Sequence, residues 1–561
     1  MAQTAAPAPG GQVFVDSLVA GGVEFFSCVP GESFLPVLDA LYGLTTTVAG
    51  ASVRLVTARH ESAAGFMAEA AGKLTGRPAV CLVTRGPGAM HAAIAVHTAY
   101  QDGTPLVLAV GQIARAHRGR EAFQEMDYRS VFSSTAKLVV EIDDVDRIPE
   151  IVARALHVAT SGRPGPVVIA LPEDVLYAST SVTPVPMART LPVSPSQASV
   201  REIVEITTSA QRPLIIVGGS TWTDQAGHDI RRFAETHAIP IAAAFRSQDV
   251  IDNRSESYVG YLGLGGSEQL RRHAAEADTW IVLGARLDDP TTDGYALIDE
   301  GRAGRTIVLT GDDAAQASQT FMPDVSVSCS IESLARELAT VPAAPSDERA
   351  RRVAELRREH LDFVAADETG GLPQIVRHLR DVLPDDAVIT NGAGNYTGWV
   401  QRYFEFRRAR TQLAPHNGAM AYGLPAAIAA AAIRPGVPVV AFAGDGCFMM
   451  SGNELATAVQ HDLDLTVVVV NNAMYGTIRM HQERQFPGRT IATELRNPDF
   501  VAYARAFGAG GWSVDSAAGF IDAFAEARRR GGVNLIEVLT DPDQITTGAR
   551  LPITASRKGW A

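Results

Sequence analysis

Short, wholly apolar runs recur along this chain, each closed by Gly, Pro, Thr or Asn and each followed by a helix-like stretch. PAVCLVT, TPLVLAVG and GPVVIALP lie in the first third, RPLIIVGG, IPIAAAF and DTWIVLGA in the middle, and DAVITNGAG, VPVVAFAGDG, LTVVVVNN and VNLIEVLTD in the last. A strand that is apolar on both faces has to be covered on both faces. Helices between successive strands do this in parallel sheets. The expected fold class is therefore α/β, with three doubly wound parallel-sheet domains. Residues 177–200, rich in Pro, Ser and Thr, read as one linker, and residues 339–360, prolines followed by a charged, solvated helix, as another. They set the expected limits: an N-terminal domain over 1–180, a central domain over 195–340, a C-terminal domain over 365–545 and a tail over 546–561.

Composition excludes some partners. The net charge is −13, from 49 basic and 62 acidic residues, so no basic footprint for nucleic acid or an anionic membrane is present. Cys28, Cys81, Cys329 and Cys447 are far apart and form no CxxC pair, against a disulfide frame or a zinc site. The opening MAQTAAPAPGG has no basic-then-apolar signal pattern, and the longest apolar run, LPAAIAAAAI (424–433), is too short to span a bilayer. The expectation is a soluble, cytoplasmic protein.

The first and last thirds resemble each other. VCLVTRGPGAMHAAIAVHTAYQDGTPLVLAVGQ and VVAFAGDGCFMMSGNELATAVQHDLDLTVVVVNN share the order strand, Gly turn, helix, strand, with TAYQ (98–101) and TAVQ (457–460) at equivalent places. A duplicated fold is expected. In the second of these units Asp445 closes one strand, and Asn471 and Asn472 close the next. Ser451 and Glu454 have capping-box spacing for the helix between. Both strands of a right-handed βαβ unit run the same way, so Asp445 and the asparagines share the carboxyl edge, where open parallel sheets take ligands. Asp and Asn oxygens suit Mg²⁺, which commonly shares its shell with phosphates. Gly444 and Gly446 let the backbone approach such a phosphate, and the N–H groups beyond them can donate to it. The stretch reads as a diphosphate–Mg²⁺ clamp.

GDG followed 27 residues after its Asp by the second Asn of NN resembles the thiamine diphosphate motif. The resemblance extends over nearly the whole chain, to the acetolactate synthase-like (acetohydroxyacid synthase large subunit-like) branch of the thiamine diphosphate-dependent superfamily. It implies a pyrimidine-binding, a central and a diphosphate-binding domain. Asp445, Asn472 and the Met474 carbonyl would be the Mg²⁺ ligands, and Cys447 and Tyr475 would join the cofactor-binding set. In HNGAMAYGLPAA, Met420 would force the bent cofactor shape and the Gly418 carbonyl would accept from its amino group. NGAGNYTGW matches a second diphosphate loop, with Asn395 and Tyr396. ARHESAAGFMAEAAGKLTGRPAV places Glu61 as the acid beside the pyrimidine nitrogen that promotes loss of the thiazolium C2 proton. Glu61 of one subunit would meet the clamp of another, so the resemblance implies a homodimer or homotetramer.

The implied reaction is decarboxylation of a 2-keto acid such as pyruvate, followed by carboligation to an acceptor carbonyl. In REAFQEMDYR, Phe123 and Gln124 would line the reaction pocket, Gln124 as a catalytic residue, with Gln112 of VGQI beside them. Several positions depart from the synthases. Glu32 stands where they have glycine, and would be a second acid. Pro290 of GARLDDPTTDGY replaces the arginine that holds a second keto acid, and a proline offers no fork to a carboxylate. His481 replaces a tryptophan of the acceptor site. FRSQDVIDN lacks the glycine-rich lead-in to a flavin site, so FAD stays open despite the GG of IIVGGS. No adjacent His-His pair of the decarboxylase kind is present. Alternatives are a thiamine diphosphate-dependent 2-keto acid decarboxylase or a 2-hydroxyacyl-CoA lyase; no Lys/Arg cluster that would grip CoA is evident beyond SRKG (556–559), which reads equally as a solvated tail. The joint presence of Glu61, Asp445 and Asn472 speaks against a non-catalytic sheet protein.

Overall fold

A computed structural model describes residues 6–45, 53–301, 304–313, 321–344, 346–366 and 371–551. The SRKG cluster lies outside them. Three six-stranded sheets, every adjacent pair parallel, are built from the apolar runs.

The N-terminal sheet holds β1 (Phe25–Cys28), β2 (Arg54–Thr57), β3 (Ala79–Val83), β4 (Leu106–Gln112), β5 (Leu138–Glu141) and β6 (Pro166–Pro172), in the order β2-β1-β3-β4-β6-β5. The central sheet holds β7 (Pro213–Val217), β8 (Ile241–Ala243), β9 (Tyr258–Tyr261), β10 (Thr279–Leu283), β11 (Thr306–Gly311) and β12 (Val325–Ser328), in the order β9-β8-β7-β10-β11-β12. The C-terminal sheet holds β13 (Val388–Asn391), β14 (Gln412–Leu413), β15 (Val439–Gly444), β16 (Leu465–Asn471), β17 (Gly510–Val514) and β18 (Val533–Leu539), in the order β14-β13-β15-β16-β18-β17. The first and last sheets thus have one topology, second-first-third-fourth-sixth-fifth, as their shared strand–turn–helix order predicts.

They differ between their third and fourth strands. The N-terminal unit runs one continuous helix there, α2 (Gly86–Asp102), after α1 (Glu61–Thr75) has linked β2 to β3. The C-terminal unit instead breaks into a short helix (Asp445–Phe448), a 3₁₀ turn (Gly452–Glu454) and a second short helix (Leu455–Gln460). The capping box does not form. Ser451 Oγ donates to the Ala421 carbonyl at 2.9 Å, and the Glu454 carboxylate accepts from the Arg59 backbone N–H at 3.1 Å and from Thr457 Oγ1 at 2.6 Å. A buried carboxylate takes donors wherever they exist, and here one is three residues on and the other comes from the N-terminal block.

The charged stretch after the central sheet also departs from expectation. Its helix, α3 (Asp347–Ala365), is not solvated all round. It buries Val353 and Leu356, and its arginines reach back, Arg349 to the Thr208 carbonyl at 2.9 Å and Arg357 to the Tyr258 carbonyl at 2.9 Å. The aliphatic stems cover apolar surface while the guanidinium groups satisfy carbonyls. All four cysteines are free and buried. Among the described residues no helix is long and apolar enough to cross a membrane.

Within one chain the first and last blocks share a core. Helix α1 packs between α2 and α4 (Gly423–Ile433), and its residues from Ala63 to Gly72 are all buried. Small residues make this approach feasible: a Cβ on Gly65 would stand 2.5 Å from the Ala95 Cβ.

Candidate active site

The strands β15 and β16 pair in register from Val440 with Thr466 to Gly444 with Val470, so Asp445 and the asparagines emerge side by side at the carboxyl edge. A cavity of about 220 Å³ opens there. It is lined by Gly444, Asp445, Gly446 and Cys447 from the first strand end, and by Asn472, Met474 and Tyr475 from the second. Asn395 and Tyr396 close it from the loop after β13, and Gly418 and Met420 from the loop before α4. The structure thus brings together every cofactor-binding residue expected from the C-terminal block.

Each of these residues is held by its neighbours. Asn395 is tied by its amide to the Ile545 carbonyl at 2.8 Å and by its backbone N–H to Thr477 Oγ1 at 3.0 Å. The Tyr396 hydroxyl accepts from the Gly392 N–H at 3.1 Å and donates to Cys447 Sγ at 3.5 Å. Cys447 Sγ also accepts from the Ala421 N–H at 3.3 Å, pinning the residue next to Met420. On the other side, Asn417 Oδ1 accepts from the Ala419 N–H at 3.1 Å. Gly418 has φ +69° and open space where a Cβ would be, as a residue presenting backbone to a ligand requires. A Cβ on Gly446 would meet the Tyr475 ring at 2.5 Å.

The residues fit a divalent cation with a phosphate group. Asp445 is 2 % exposed, and burial pushes its carboxyl above the ordinary carboxylate range, against the opposing Asn497 amide and Gly446 N–H. Among the described residues no Lys, Arg or His forms an ion pair with it. A buried carboxylate without a counter-charge is costly, and a cation relieves that cost. Asn472 Oδ1 faces the Met474 N–H at 3.3 Å, and the Met474 carbonyl accepts from Gly476 at 3.0 Å, which leaves it one lone pair. Sequence reasoning missed Asn497, whose amide bridges Asp445 Oδ2 at 2.7 Å and Asn471 Oδ1 at 3.0 Å. Its one local signal, an Asn before a Pro, is common to ordinary loops.

The N-terminal candidates form a second group at the carboxyl edge of their own sheet. Glu61 opens α1 after β2, Glu32 opens a 3₁₀ turn after β1, and Gln112 ends β4. None of them lines the cavity in the same chain. Glu32 is an exposed loop carboxylate 3.5 Å from Arg85 Nη1, while Arg85 holds Glu173 at 2.5 Å. Gln112 is buried, and its amide donates to the Met126 carbonyl at 2.9 Å and accepts from the Ile113 N–H at 3.0 Å, so it anchors the loop that carries Phe123 and Gln124. That loop presents Phe123 at 74 % exposure, and Gln124 at φ +65° with its carbonyl on the Gly86 N–H at 3.2 Å. His481, on α5 (Gly476–Gln485), is exposed and off the cavity wall, which Thr477 and Ile478 form instead.

The central sheet has its own crevice at the reversal of strand order between β7 and β10, the usual ligand position in such a sheet. Gly219, Gly284, Arg286, Asp312 and Arg163 line it, and its volume is about 60 Å³. Arg246, where the flavin lead-in is absent, is buried in the adjoining pocket with its guanidinium on the Pro415 carbonyl.

Comparison with known proteins decides the family. Residues 9–131, 200–338 and 392–538 match the N-terminal TPP binding, central and C-terminal TPP binding domains of thiamine pyrophosphate enzymes. The chain belongs to the thiamine pyrophosphate enzyme family. This thiamine diphosphate-dependent enzyme is 30% identical over 541 residues to the acetolactate synthase isozyme 1 large subunit of Escherichia coli, covering 95% of this chain and 94% of the relative. It is 31% identical over 537 residues to the acetolactate synthase large subunit of Corynebacterium glutamicum, covering 92% and 84%. It is also 30% identical over 510 residues to the E. coli isozyme 2 large subunit, covering 90% of each. It is therefore an acetolactate synthase-like member of the family.

Proposed function

We propose that this enzyme decarboxylates a pyruvate-like 2-keto acid with thiamine diphosphate and Mg²⁺, and joins the retained fragment to an acceptor carbonyl. Its domains span 1–180 (pyrimidine-binding), 195–340 (central) and 365–545 (diphosphate-binding). Asp445, Asn472 and the Met474 carbonyl would hold the metal, which would supply positive charge for the diphosphate. Gly444, Gly446, Cys447, Tyr475, Asn395 and Tyr396 would enclose that end of the cofactor, with Gly418 and Met420 beneath the rest. When bound, the cofactor supplies the carbon nucleophile. Glu61 holds the proton at the pyrimidine nitrogen, and Phe123 and Gln124 face the substrate, with Glu32 at the rim as a second acid. The observation that carries this reading is the division of the candidate residues. The metal and diphosphate set lines one cavity, while Glu61 stands at the matching edge of the other sheet and does not reach that cavity in its own chain. A homodimer, or a homotetramer built from two such dimers, unites the two.

A second reading, protonation in place of carboligation, draws on Pro290, half-buried where the resembled synthases carry an acceptor-binding arginine. Purified protein given thiamine diphosphate, Mg²⁺ and pyruvate separates the two by mass spectrometry of products. Acetolactate or acetoin is the expected result; acetaldehyde alone supports the second reading, and no cofactor-dependent consumption of any 2-keto acid contradicts both.

A further inference from the structure

Glu61 does not stand alone. His91, on the first turns of α2, places Nδ1 2.9 Å from Glu61 Oε2. The pair shares one hydrogen bond in either protonation state of the acid: an Nδ1–H donates to the carboxylate, and a protonated carboxyl donates to an Nδ1 lone pair. The His91 side chain is 54% exposed, and no described residue takes its Nε2. The His60 ring stacks on it, centroids 4.7 Å apart and planes at 29°. His60 is itself fixed as the N-cap of α1, its Nδ1 accepting from the Ser62 N–H at 3.2 Å. The carboxyl of Glu61 is thus gripped through one oxygen by a ring backed by a second ring. Its other oxygen, Oε1, lies over Gly88, where a Cβ would be 3.6 Å away, and no described side chain donates to it.

We infer that His91 is a positioning residue for Glu61: it grips the carboxyl through Oε2 and leaves Oε1 free for the cofactor's pyrimidine nitrogen. This rests on the role given to Glu61 above. The titratable groups set against His91 are Glu61 and His60, both from α1.

The test measures exchange of the C2 proton of bound thiamine diphosphate in D₂O by quenched-flow NMR across pH, with imidazole ¹⁵N spectra of the cofactor-free protein. H91F removes the donor and keeps a ring. It is expected to slow exchange roughly tenfold through loss of that orientation, about the worth of one hydrogen bond. H91N restores an N–H at the Nδ1 position. It is expected to recover most of that loss. E61Q should shift the His91 ¹⁵N resonances, as a direct contact requires. Unchanged exchange in H91F, or H91N exchange as slow as that of H91F, overturns the inference. Wild-type exchange in E61Q overturns instead the role of Glu61 on which it rests.

Discussion

In the proposed reaction two carboxylates carry the chemistry, and their surroundings differ. Asp445 is buried at a strand tip with amide and backbone donors only, and burial raises its carboxyl above the ordinary range. Glu61 sits at the open end of a helix, with one oxygen on His91 and the other unclaimed among the described residues. The first suits a metal ligand and the second a proton carrier. Glu61→Gln keeps the shape and removes the proton, so turnover should fall by about 10²–10⁴-fold, the usual worth of a positioned acid or base. Calorimetry should still show thiamine diphosphate and Mg²⁺ binding. Unchanged turnover would remove Glu61 from its role.

Helix α1 ties the site to the rest of the fold. Glu69, two turns beyond Glu61, is fully buried between Thr104 Oγ1 at 2.7 Å and the Tyr422 hydroxyl at 2.5 Å. Burial, with the field of Asp102, pushes its carboxyl from an ordinary 4.5 up to about 7. The folded chain therefore keeps a proton that the unfolded chain releases, and stability falls as pH rises from 4.5 to about 7, by up to about 1.4 kcal/mol per pH unit. Asp102, held well below the carboxylate range by Lys73 and His416 despite its burial, acts in the opposite sense and loses its contribution on acidification. Glu69→Gln should flatten the fall of melting temperature between pH 5 and pH 8. An unflattened fall in thermal unfolding would contradict the assignment.

Elements of this kind were legible to different degrees. Val439–Gly444 and Leu465–Asn471 could be read because continuous apolarity and a polar stop are local properties of a buried parallel strand. Glu454 misled because its partner, the Arg59 N–H, is 395 residues away, and a local capping pattern carries no record of a distant donor. Gln112 was legible only in its place at a strand end; its bond to the Met126 carbonyl depends on a loop folded back over it. Asn497 was invisible because a loop side chain acquires its bridging role only when the sheet edge is assembled.

At the scale of the whole molecule, two sheets of one topology pack in a single chain through α1, α2 and α4, and each exposes its carboxyl edge. Their shared core is built, yet the two halves of the site stay apart within the chain. If the site is completed by a second copy, two chains each broken in a different half can repair one another. Glu61→Gln and Asp445→Asn proteins, each inactive alone, would be co-refolded or co-expressed and assayed with thiamine diphosphate, Mg²⁺ and pyruvate. Random assortment in a symmetric dimer should restore about a quarter of wild-type turnover, from hybrids with one intact site of two. A mixture confirmed to contain hybrids that stays inactive would contradict a site shared between subunits.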